Sequence, residues 1–246
     1  MGSMRIVENA EALAIESANL FLEAATYALR FQSRFTVALH GGSTPKRTYE
    51  LLASKEFRSK IPWERVHFFW GDERDVPPDH PASNFRLAWD SMLRALPVPS
   101  RNIHRVQTEL GDAERGARDY EKKIRDFFYV KGPQETPRFD LVFLGLGEGG
   151  HTASLFPDGR ADENGHLVIA PWVEHLNAFR ISLTPQVFNE ATHIVIQVSG
   201  RKKASILRDV LKGDKTYPAL RIHPTEGDLL WLVDRDASSL LDENAA

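Results

Sequence analysis

A histidine set directly behind a run of glycines is the feature of this sequence best suited to chemistry. The stretch Gly145-Leu-Gly147-Glu148-Gly149-Gly150-His151-Thr152-Ala-Ser154 follows an apolar run beginning at Phe139. An imidazole titrates near neutrality, so His151 could take a proton from water while nearby backbone N–H groups stabilise a developing oxyanion. A lone histidine is more often packed or capping, but the glycines and the position at a strand end favour chemistry. A helix is expected to start here. Gly145, Gly147 and Gly150 also match G-x-G-x-x-G. That match falls past mid-chain, and the next apolar segment, Leu167 to Ala170, ends without the acidic residue that would hold a ribose. A nucleotide site is therefore disfavoured.

A second glycine turn has the chemistry of an anion site. Phe35 to Leu39 reads as a strand, His40-Gly41-Gly42-Ser43 as a tight turn, and Thr44-Pro45 as an N-cap followed by the first helical position. Gly41 and Gly42 let the backbone approach a ligand. Free N–H groups, the Ser43 and Thr44 hydroxyls and the positive helix end would together hold a phosphate. The G-x-x-x-x-G-K-[ST] spacing of a Walker loop is absent.

Charged residues follow two other strands. Gly71-Asp72-Glu73-Arg74-Asp75 offers carboxylates for acid/base work and, in Arg74, a bidentate partner for phosphate or carboxylate. Asp75 and Asp79 read better as turn residues, and Asn84 as a helix cap. Ser199-Gly200-Arg201-Lys202-Lys203 is a turn that puts three cations at a helix start, where they oppose the macrodipole unless an anion offsets them. Arg201 and Lys203 are the candidate ligands, with Lys202 assigned to solvent. Arg180, entering a strand, is a further candidate. No His/carboxylate spacing suggests a metal site.

The elements that must position these residues alternate along the chain. Strands are expected at Phe35–Leu39, Val66–Trp70, Phe139–Leu144, Phe179–Leu183, His193–Val198 and Leu229–Val233. Helices are expected at Ala10–Arg30, Pro45–Ala53, Phe85–Ala95, Asp112–Val130 and Arg201–Leu211. Several strands are apolar almost throughout, as in sheets buried on both faces. The pattern predicts a three-layer α/β fold, with a mainly parallel Rossmann-like sheet and helices on both faces. Met1-Gly2-Ser3 reads as a cloning remnant outside the fold, and 4–246 as a single domain. A further turn is expected across Pro157–Gly165.

Composition narrows the partners. A net charge of -3 gives no basic face for nucleic acid. With no cysteine, thiolate metal sites and cysteine nucleophiles are excluded. No apolar run approaches the ~20 residues of a membrane span. A cytoplasmic location is expected, and nothing in the sequence speaks to oligomeric state.

Taken together, these motifs resemble the 6-phosphogluconolactonase family, related in fold to glucosamine-6-phosphate deaminases and isomerases. The matching stretches are Leu39 to Pro45, Trp70 to Arg74 through Ser83 to Arg86, Gly145 to Pro157, Arg180 to Thr184, and Gly200 to Ala204. Asp72-Glu73-Arg74 and His-Thr-Ala-Ser-Leu-Phe favour the lactonases. The resemblance implies hydrolysis of 6-phosphoglucono-1,5-lactone to 6-phosphogluconate in the pentose phosphate pathway, without metal or organic cofactor. It implies His151 as the base, and Gly41, Gly42, Ser43, Thr44, Asp72, Arg74, Gly150, Arg180, Arg201 and Lys203 as substrate contacts.

Two positions depart from the family pattern. Gly149 stands where an Asp is expected, removing a carboxylate that could support the histidine. Glu148 and Asp72 are the candidates to replace it. His40 stands where a small residue is usual, and either adds a phosphate donor or fills space. The alternatives are a phosphosugar-binding protein without catalysis, which Gly149 would suggest, and an amino-sugar-phosphate deaminase or isomerase.

Overall fold

The computed structural model describes residues 2–132, 135–156, 165–213 and 217–241. The first half of the chain runs β1 (Ser3–Val7), α1 (Ala10–Phe31), β2 (Phe35–Leu39), α2 (Thr44–Leu52), α3 (Lys55–Arg58), β3 (Val66–Trp70), β4 (Asp72–Arg74), α4 (Asn84–Ser91) and α5 (Ala113–Phe128). The second half runs β5 (Leu141–Gly145), β6 (Val168–Ile169), β7 (Trp172–Val173), β8 (Ala178–Leu183), α6 (Pro185–Asn189), β9 (His193–Val198), α7 (Ala204–Leu211), β10 (Asp228–Asp234) and α8 (Arg235–Ser238).

Six strands form one parallel sheet in the order β1-β10-β9-β5-β2-β3. Its strands alternate faces, because successive side chains of extended backbone point to opposite sides. Val37, Leu39, Phe68, Trp70, Leu141 and Phe143 join one core with Phe21 of α1 and Tyr49 of α2. Ala38, Phe69, Val142, Leu144, Ile194 and Ile196 join the other with Ile124 of α5 and Leu207 of α7. Both faces are covered, which explains the nearly continuous apolar runs. The α/β three-layer expectation holds.

The strand order determines where a ligand can sit. From β2 the chain moves outward to β3, and β5 then pairs on the opposite side of β2. The loops leaving β2 and β5 therefore diverge at a topological switch point, where open α/β sheets bind ligands. Those two loops carry Gly41 to Thr44 and Gly145 to His151.

Several local expectations change. The segment 179–183 lies outside the parallel sheet: β8 pairs antiparallel with β4, β6 and β7. Its exposed Phe179 and half-buried Arg180 suit a small sheet rather than a doubly buried strand. Ser3, read as a remnant, opens β1 and pairs with Leu230. Ser43 rather than Thr44 holds the N-cap position of α2, and its side chain makes no cap bond. Arg201–Lys203 form a 3-10 turn before α7. No helix begins at His151: Thr152 and Leu155 bridge, and Ala153 between them takes the left-handed region at φ +47°. The turn expected at Pro157–Gly165 lies outside the described residues except for Gly165. Among the described residues, no helix is long and apolar enough to cross a membrane.

Candidate active site

A cleft of about 200 Å³ opens at the switch point, and the glycine turns of β2 and β5 form two of its walls. Of the residues singled out from sequence, Gly41, Gly42, Ser43, Thr44, Asp72, Arg74, His151 and Lys203 line it. Gly150, Arg180 and Arg201 do not. Gly150 has φ +74° and packs against the Tyr217 ring, so its role is to shape the turn. Arg201 is exposed on the 3-10 turn. Arg180 is half-buried, directly across the β4–β8 ladder from Arg74.

The three residues of β4 divide their work by alternation. Asp72 and Arg74 share one face and reach the cleft, while Glu73 points the other way. Glu73 accepts from the backbone N–H groups of Arg74, Asn84 and Phe85 and from Ser83 Oγ. It thereby ties the start of α4 to β4. Burial pushes its carboxyl up, against the pull of those N–H donors. Arg74 is held by a 2.6 Å bond from Nη1 to the Ala82 carbonyl.

Asp72 is 8% exposed and held from two sides. Ser154 Oγ donates to its Oδ2 at 2.6 Å, and Asn84 Nδ2 donates to its Oδ1 at 3.2 Å. Asn84, expected only as a cap, is buried and lines the cleft. The cap bond comes instead from Ser83, whose hydroxyl accepts from Arg86 N–H.

The His151 ring sits over Gly147, where a Cβ would stand 2.0 Å from it. Gly147 N–H donates to the His151 carbonyl at 2.8 Å, closing the turn. The other side of the ring packs on Phe156, with centroids 4.4 Å apart. Burial holds the His151 pKa below the usual imidazole range, opposed by the Asp72 charge and assisted by Lys203, His175 and Arg180. His151 is therefore neutral at pH 7 and able to accept a proton.

The two carboxylates named as candidates to support the histidine act on different groups. Asp72 acts on His151, whereas Glu148 acts on Lys203. Lys203 itself is half-buried, and burial lowers its pKa. It is delivered by a turn clasped by Asp234, which accepts from Ser199 Oγ at 2.5 Å and from Gly200 N–H at 3.0 Å.

His40 forms part of the cleft floor. Its Nε2 lies 2.8 Å from Gln197 Oε1, and Gln197 Nε2 donates onward to Ser17 Oγ. Ser17 gives its own hydrogen to the Leu13 carbonyl. That last acceptor fixes the direction of the chain, so Nε2–H of His40 donates to Gln197. Burial lowers its pKa, so it does not present a cationic phosphate ligand.

The cleft thus combines two imidazoles, of which His151 has no side-chain hydrogen bond among the described residues, with one anchored carboxylate and two cations beside a glycine turn. A family model described as glucosamine-6-phosphate isomerases/6-phosphogluconolactonase matches residues 8–231. The chain belongs to this family. It is 38% identical over 242 residues to a 6-phosphogluconolactonase of Nostoc sp., covering 97% of this chain and 98% of that one. A Synechocystis sp. 6-phosphogluconolactonase is 40% identical over 219 residues, 88% of each chain. The crystal structure of 6-phosphogluconolactonase from Leishmania guyanensis superposes with a TM-score of 0.86 at 29% identity, covering 98% and 99% of the two chains. A monomeric glucosamine-6-phosphate deaminase shares the fold with a TM-score of 0.81 at 19% identity, over 97% and 99% of the chains. Gly149 is a site with space: a Cβ there would meet only His151 Nδ1, at 3.8 Å.

Ser154, Gln197 and Asp234 escaped the sequence reading. Ser154 alone left a signal, as a hydroxyl three residues beyond the histidine.

Proposed function

We propose that this chain is a carboxylic ester hydrolase that converts 6-phosphoglucono-1,5-lactone to 6-phosphogluconate. The observation that carries the reading is the neutral imidazole of His151 in one cleft with Arg74, Lys203 and the Gly41–Thr44 turn. A phosphorylated ester needs both an anion site and a base, and the family's lactonases have such a substrate in their name.

In this reading the phosphate rests on the Gly41-Gly42-Ser43-Thr44 turn, with Arg74 and Lys203 supplying charge. The first N–H groups of α2, which the Ser43 side chain leaves uncapped, add donors. His151 takes a proton as water attacks the lactone carbonyl carbon. The tetrahedral intermediate then expels the ring oxygen, which receives that proton from the imidazolium. The products are a hydroxyl at C5 and a carboxylic acid at C1, which releases its proton to solvent and leaves as the carboxylate. Asp72 stabilises the imidazolium formed between the two steps.

Gly149 is the observation that favours a binding protein without turnover, and the anchored charge of Asp72 weighs against it. Turnover of freshly generated 6-phosphogluconolactone by wild type and His151→Ala distinguishes the two. Catalysis predicts a rate well above spontaneous hydrolysis that falls at least 10²-fold in the variant. Equal rates would remove His151 from the chemistry.

A further inference from the structure

The turn carrying His151 is docked at one place on the small antiparallel sheet. Asp72 of β4 and Ser182 of β8 are cross-strand neighbours, and both hold Ser154. Asp72 accepts from its hydroxyl at 2.6 Å, and Ser182 Oγ accepts from its backbone N–H at 3.4 Å. Ser154 is 2% exposed and three residues beyond His151. Between them Ala153 takes left-handed backbone, which is unfavourable for a residue with a Cβ and must be held by its surroundings. Among the described residues, no side chain hydrogen-bonds the His151 ring, and Gly149 offers none.

We propose that Ser154 is a positioning residue for His151, clasping Asp72 as the carboxylate counterpart that position 149 lacks. A carboxylate can only accept, so the Ser154 hydroxyl must donate, and the bond holds the Asp72 carboxylate in place. One bond thereby fixes both the turn that aims the imidazole and the charge that supports it. The other charged groups acting on His151 are Lys203, His175 and Arg180, all of which oppose its protonation. Asp72 is the sole counterweight among these. The idea rests on His151 being the base of the proposed reaction, but the clasp can be measured without turnover.

The test is an NMR titration of the His151 Cε1–H, assigned against His151→Ala, together with steady-state lactone hydrolysis. Ser154→Ala should titrate at lower pH than wild type, and Asp72→Asn lower still. In kinetics Ser154→Ala should lose about tenfold in kcat with KM little changed. Ser154→Thr, which keeps the hydroxyl, should recover most of that loss. Adding Gly149→Asp should shrink the effect of Ser154→Ala, because a carboxylate is returned to the histidine. An unchanged titration in Ser154→Ala and Asp72→Asn would overturn the proposal. So would a kcat loss equally large with and without Gly149→Asp, which would mark Ser154 as packing alone. If Ser154→Ala does not fold, the Asp72→Asn titration decides. Absence of turnover in the wild type would sink the lactonase reading and leave the titration to judge the clasp.

Discussion

Asn84 and Gly41 fit so closely that a Cβ at position 41 would stand 1.6 Å from Asn84 Oδ1. The same amide holds Asp72 through Nδ2, so the anion turn and the carboxylate are mechanically joined. Gly41→Ala must therefore displace Asn84, and overpacking of this kind costs about 1–3 kcal/mol. We expect a lower unfolding midpoint in urea and a reduced kcat. Asn84→Ala added to Gly41→Ala should relieve the overlap. An unchanged midpoint in the single variant would show that the turn yields freely.

The pH profile follows from two groups whose pKa values are lowered by burial. The proposed base works when neutral, and His151 protonates below the usual imidazole range. The acid limb of kcat/KM should accordingly lie below pH 6.5, with activity lost as pH falls through the lowered value. Lys203 loses its charge below the ordinary lysine range, so phosphate binding should weaken as pH rises through its depressed pKa. KM should climb on the alkaline side, and Lys203→Met should raise KM at neutral pH and flatten that climb. A pH–rate series on both proteins checks the two limbs. An acid limb above 6.5 would contradict the burial argument.

Gly149→Asp tests what the missing carboxylate costs. The site has room, and the new side chain would start 3.8 Å from His151 Nδ1. A negative charge there favours the imidazolium, so the acid limb should move to higher pH. At its optimum kcat should change by less than about threefold if Asp72 already supports the base. A much larger gain would mean that the natural loop is impaired.

Asp234 should matter to substrate binding from a distance. It is 2% exposed and accepts from Ser199, Gly200 and Ala237. Asp234→Ala leaves those donors unpaired, a loss of about 2–4 kcal/mol in stability. It also frees the turn that delivers Lys203, so KM should rise more than kcat falls. Denaturant unfolding and steady-state kinetics measure the two effects separately.

Five strands of the parallel sheet were legible because they are apolar almost throughout, whereas β1, exposed or half-buried along its length, left no such run. The small sheet was not. Its strands β4, β6 and β7 have two or three residues each, and Asp72-Glu73-Arg74 has no apolar run to mark it as a strand before β8 pairs with it. The cleft was legible where glycines and hydroxyls mark a turn into a helix, as at Gly41 to Thr44. After His151 the same analogy failed. Ser154 is drawn to a carboxylate 82 positions away, and Phe156 packs on the imidazole, so a bridged turn forms instead of a helix. Gln197 and Asp234 look like ordinary polar residues of strands, and only their distant partners reveal them.

The pairing of Ser3 with Leu230 has a bearing on how the chain is made. β10 lies between β1 and β9, so β1 has no neighbour in the sheet until Asp228–Asp234 has been synthesised. The sheet edge at β9 likewise stays open from its own synthesis until β10 follows. Pairings this distant in sequence are slow to form and expose strand edges while they wait. Chains halted before Asp228 should therefore associate rather than fold, and chaperone dependence should fall steeply once that strand is complete.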